Sequence, residues 1–130
     1  MVYTIKTTKD QDFYNITPIV EKAVRKSGVT DGIVIVFVPH TTAGVTINEN
    51  ADPDVISDLL FDLNRVYPVD NRYFHQEGNS HAHMKASLMG SSCTLIIEEG
   101  YLKLGTWQSI YFCEFDGPAT RTFYIKIMEG

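Results

Sequence analysis

The chain has 130 residues, 44% of them hydrophobic and 21% charged, which suits one globular domain with a core of its own. Its formal net charge of -5 disfavours broad binding to nucleic acid, which needs a basic surface to displace counterions, although two or three local cations suffice to hold a phosphate. The longest apolar run, Ile33 to Val38, stops far short of the roughly 20 residues that span a bilayer, and Met1-Val2-Tyr3-Thr4-Ile5-Lys6 lacks the pattern of a signal peptide, so no membrane association is expected and the cytoplasm is the expected compartment.

Val2 to Thr7 alternates apolar and polar side chains as an outer strand does. Thr17-Pro18 reads as N-cap and first helical position, and Ile19, Val20, Ala23 and Val24 then recur at helical spacing until Gly28 ends the helix. The β-branched run Ile33 to Val38 predicts a strand covered on both faces, with Gly44 to Ile47 its continuation or partner beyond Pro39. Asp52-Pro53 is a second cap pair, followed by the apolar stripe Val55, Ile56, Leu59, Leu60, Leu63, predicted to be buried. From Asn64 to Ser80 no periodicity is sustained.

Ala82 to Met89 suits a short helix closed by Gly90. Cys93 to Ile97 and Ser109 to Phe115 read as strands around a turn-rich stretch from Gly100 to Gly105, and Thr122 to Met128 supplies the last strand. The order predicts a single α+β domain with a mostly antiparallel or mixed sheet and two to three helices. Cys93 and Cys113, both inside strand-like runs, read as core thiols.

Chemistry-bearing side chains cluster at the ends of these elements. Pro39-His40-Thr41-Thr42-Ala43-Gly44 leaves a strand, and its small residues allow a ligand close to the backbone. His40 is either a strand-end histidine bonded to the backbone or an acid-base group. At Asn48-Glu49-Asn50-Ala51-Asp52, Asp52 is the helix cap, which leaves Asn48, Glu49 and Asn50 as site candidates. His75, Glu77, His81 and His83 fall in one stretch. If the helix includes His81, it splays His81 and His83 by about 200°, against a shared ion, and no third ligand stands at a recognised metal spacing. Trp107 reads as a packing anchor. Arg121 offers a fork for phosphate or carboxylate, with a salt bridge to Glu114 as the structural alternative.

Taken together, Pro39-His40-Thr41-Thr42-Ala43-Gly44, Asn48-Glu49-Asn50 with Asp52-Pro53, Glu77-Gly78-Asn79 with His83-x-Lys85-x-Ser87, Leu104-Gly105-Thr106-Trp107-Gln108 and Glu114-x-Asp116-Gly117-Pro118 resemble the YjbQ-like proteins, also called the secondary thiamine-phosphate synthase family. The match runs in order over nearly the whole chain. The resemblance implies a YjbQ-like homotrimer with its polar residues in a cleft near the subunit boundary. It also implies an activity that joins a pyrimidine diphosphate to a thiazole phosphate and releases pyrophosphate, beside an unknown main role.

On that reading the substrate is a phosphorylated small molecule. His40 and His83 do acid or base work, Asn48 and Glu49 orient substrate or metal, and Thr42, Asn50, Lys85, Ser87, Gln108 and Arg121 hold the substrate and its phosphates. A divalent ion, Mg²⁺ or Zn²⁺, is the expected inorganic helper, with His40, His83 and Glu49 its candidate ligands; no organic cofactor is expected. Relatives often read Gly-Pro-Arg-x-Arg where this chain has Gly117-Pro118-Ala119-Thr120-Arg121; if both arginines grip phosphate, Ala119 removes one fork and predicts weaker affinity or a less anionic ligand, and the alternative is that the first arginine is only a surface charge. The competing readings are a metal-dependent hydrolase and a non-catalytic module for an anionic metabolite.

Overall fold

A computed structural model describes all 130 residues. In chain order the elements are β1 (Val2–Lys6), β2 (Asp12–Asn15), α1 (Thr17–Ser27), β3 (Asp31–Phe37), β4 (Ala43–Glu49), α2 (Pro53–Val66), α3 (Ser80–Met89), β5 (Ser92–Glu98), β6 (Tyr101–Leu102), β7 (Gln108–Glu114) and β8 (Thr120–Glu129). They build an α+β domain with two antiparallel sheets, one ordered β1-β8-β3-β5-β6 and the other β2-β7-β4.

Alternation of side chains decides the layers. Val34, Val36, Leu95, Ile97, Phe123 and Ile125 of the larger sheet face Val45, Ile110 and Phe112 of the smaller one, and α1 adds Val20, Ala23 and Val24 to the same core. The opposite face of the smaller sheet presents Phe13, Tyr111 and Cys113 to Leu63 of α2 and to Ala82 and Ala86 of α3. Both cysteines are free and burial raises their thiol pKa, that of Cys93 to about 11, as inert core thiols require.

Several expectations change. β3 is buried on one face only: Phe37 is 43% exposed, and with Tyr124, Ile96, Met128 and Val2 it leaves the outer face of the larger sheet apolar and uncovered. β4 neither continues nor pairs with β3; the chain crosses between the sheets at Pro39 to Thr42, and β4 pairs with β7. Of the α2 stripe only Leu63 is buried, because α2 lies on the rim and an apolar cleft of about 460 Å³ separates Leu59, Leu63 and Val66 from Leu88 and Met89 of α3. Thr17 does not cap α1: its hydroxyl accepts the Ile110 amide at 2.7 Å, while Asn15 Oδ1 accepts the Thr17 amide. Asp52 does cap α2, accepting the Asp54 amide at 2.9 Å. Trp107 is 62% exposed and anchors no core.

Candidate functional site

The first group forms where β3 leaves the larger sheet. Continuing the β3–β8 register beyond Phe37–Tyr124 sets Pro39 against Thr122, and proline has no N–H with which to extend the ladder. The His40 ring takes the vacant place, its Nε2 3.0 Å from the Thr122 nitrogen and 3.1 Å from the Thr122 carbonyl oxygen. The backbone-bonded reading of His40 is thus realised, and only one ring nitrogen is used by it. Burial first, and the Arg121 charge second, hold the His40 pKa below the ordinary histidine value, against a smaller upward pull from the Thr122 bond and Glu114.

Beneath His40 the two sheets are clamped by a buried ion pair. Arg121 donates through Nε to Glu114 Oε1 at 2.8 Å and through Nη2 to Glu114 Oε2 at 2.6 Å, and Nη2 also reaches Thr42 Oγ1 at 3.0 Å. The Thr7 hydroxyl and the Asp116 amide complete the shell of Glu114, which is fully buried. Burial raises the Glu114 pKa, but the bonds from Arg121, Asp116 and Thr7 together outweigh it and hold the carboxyl below its ordinary value. Arg121, expected to grip phosphate, is therefore charge-compensated inside the protein, and Thr42 is buried beneath it. Ala119 lies beside the same clamp, with its amide on Thr7 Oγ1.

A second network runs under α3. Lys85 has no exposed surface, and its ammonium donates to Asn64 Oδ1 at 2.6 Å, His81 Nδ1 at 2.9 Å and Gln11 Oε1 at 3.4 Å. Burial lowers the Lys85 pKa, and burial followed by the Lys85 charge lowers that of His81. A side chain enclosed in this way cannot grip a phosphate in solution, so Lys85 leaves the set of ligand contacts. Gln11 and Asn64 were not legible as its partners, because nothing local ties Lys85 to positions 74 and 21 residues away.

The other candidates are spread. Asn48, Glu49, Asn50 and Gln108 stand at the far end of β4 and β7, about 20 Å from Thr42 at the rise of an extended strand. There Asn50 and Gln108 line an open polar cleft of about 370 Å³ with Asn15, Glu21 and Thr106, and Gln108 Oε1 closes the turn by accepting the Gly105 amide at 2.8 Å. The third location is the outer side of α3, where His83 and Ser87 border a depression of about 470 Å³ with Tyr67 and Leu88. α3 begins at Ser80, so His81 points in and His83 out, the splay that helical spacing demands. His40, His83 and Glu49 thus do not share one ion within a chain. The backbone that Gly44 lets approach belongs to the chain itself: a Cβ there would lie 2.7 Å from the Gly90 carbonyl oxygen.

Comparison with known proteins adds the family. The profile described as "UPF0047 protein YjbQ-like" matches residues 1–130. The UPF0047 protein YugU of Bacillus subtilis is 55% identical over 125 residues, 95% of each chain. A UPF0047 protein of Methanocaldococcus jannaschii is 52% identical over 126 residues, 97% of this chain and 91% of its own. The crystal structure of an uncharacterised YjbQ/UPF0047 protein from Clostridium acetobutylicum superposes with a TM-score of 0.97 at 61% identity, covering 98% of this chain and 99% of the other.

Proposed function

The chain belongs to the UPF0047 protein YjbQ-like family, and we propose that it is a cytoplasmic homotrimeric enzyme that works on phosphorylated small molecules at sites shared between copies. One observation carries the reading: each group of motif side chains that a single copy holds apart is bordered by large apolar side chains left in water. The exposed rings of Phe37 and Tyr124 pack together just before His40, Trp107 precedes Gln108, and Phe74 at 101% and Leu88 at 58% exposure flank His75 and His83. Apolar surface of this kind marks contacts between proteins. A second copy seated there covers it and brings imidazole, amide and hydroxyl groups of two chains into one cleft. Contact between unlike patches closes into a ring, of which three is the proposed number.

The finest form of the reaction is thiamine-phosphate synthase chemistry, in which a pyrimidine diphosphate joins a thiazole phosphate and pyrophosphate leaves. A neutral His40 suits proton transfer near pH 7. With Lys85 enclosed and the charge of Arg121 compensated by Glu114, neutralising the leaving group falls to a divalent ion such as Mg²⁺, and the remaining N–H groups of Arg121 serve as hydrogen-bond donors.

The test is pyrophosphate release from that substrate pair with Mg²⁺. Turnover by the wild type, lowered about 100-fold or more in both His40→Ala and His83→Ala with folding intact, is the expected result; unchanged turnover in both variants overturns the assignment. If the pair is inert, a panel of phosphorylated metabolites is screened by thermal shift, because a bound ligand raises stability by mass action. No shift with any of them removes the phosphorylated substrate.

A further inference from the structure

We infer that His75 and His83, with Glu77, form a binding site for a borderline transition ion of the Zn²⁺ class. The four histidines divide by their partners. The His40 ring is bonded to Thr122 and that of His81 to Lys85. The rings of His75 and His83 have no hydrogen bond and instead meet each other, their centroids 5.3 Å apart and their planes at 88°. Two imidazoles on one tetrahedral ion, with Zn–N bonds of about 2.0–2.1 Å, have centroids about 5 Å apart. Each ring centre lies close to its Cβ–Cγ axis, so turning this soft torsion aims a nitrogen at the common point without moving the ring away.

Glu77 supplies the third donor. Its Oε1 lies 3.9 Å from His75 Nε2, and its side chain is 73% exposed. The three groups do not stand at bonding distance of a single point as they are. Donors on one tetrahedral ion are about 3.4 Å apart, so the His75–Glu77 separation has to close by under about 1 Å, and the exposed Glu77 arm is free to swing toward the two rings. Two imidazoles and one carboxylate leave the fourth position open, as in zinc sites that bind water or a substrate oxygen. Of the three groups, His83 also borders the depression beside Tyr67 and Ser87. This set differs from His40, His83 and Glu49, and it does not depend on the proposed reaction.

Equilibrium dialysis of the full-length, metal-stripped protein against ZnCl₂ tests it, with apo-state melting curves as the folding control. About one equivalent per chain is expected for the wild type and for His40→Ala. His75→Ala and His83→Ala should each weaken binding by at least about tenfold, and Glu77→Gln should weaken it less. Less than about a tenth of an equivalent in the wild type overturns the site. So does His75→Ala binding that equals the wild type, even where His83→Ala loses the ion.

Discussion

Single residues account for both cations moving inward. An arginine beside an apolar strand reads equally as an anion clamp or as half of an ion pair, and only the β8-to-β7 packing that sets Arg121 on Glu114 decides between them. Removing one partner of such a buried pair leaves a bare charge, so Glu114→Gln should destabilise by about 3–5 kcal/mol. The same residue shapes the acid limb. Its folded pKa lies below the ordinary 4.5, so its contribution is complete above that value and is lost as pH falls through the depressed one. His40 and His81, both depressed from 6.5, lose theirs in the same sense at higher pH. Melting curves should therefore fall in two stages on acidification, below about 6.5 and again below about 4.5, with only the second flattened in Glu114→Gln.

Among the elements, reading succeeded where the signal was local. Asp52-Pro53 and the stripe behind it announced α2, and Gly28, at φ 71°, ends α1 as expected. β2 and β6 escaped notice because four and two residues are too few to show a period. The small residues after His40 were readable as a close approach, but the approaching group was not: it is the end of α3, fixed by tertiary packing. Because the atom nearest a Cβ at position 44 is a backbone oxygen and not a movable side chain, Gly44→Ala must push α3 off β4. A loss of about 1–3 kcal/mol is expected in chemical denaturation, with m unchanged; a loss under about 0.5 kcal/mol would show that the two elements are not in contact as described.

For the molecule as a whole, the motifs identified the family, and the family match covers the full chain. Convergence of those motifs was less legible, because their order along the chain says nothing of which end of a strand each occupies. β4 separates Thr42 from Glu49, and α3 turns His83 outward. What the continuous β-branched run of β3 did promise, a covered outer face, is what the single copy lacks. The proposal of shared sites answers both facts together.

Co-expression of His40→Ala and His83→Ala chains tests it directly. If a site takes His40 from one copy and His83 from its neighbour, random assembly restores about a quarter of wild-type turnover, since one boundary in four receives both intact histidines. Mixed assemblies that stay at the level of either variant alone would contradict the account.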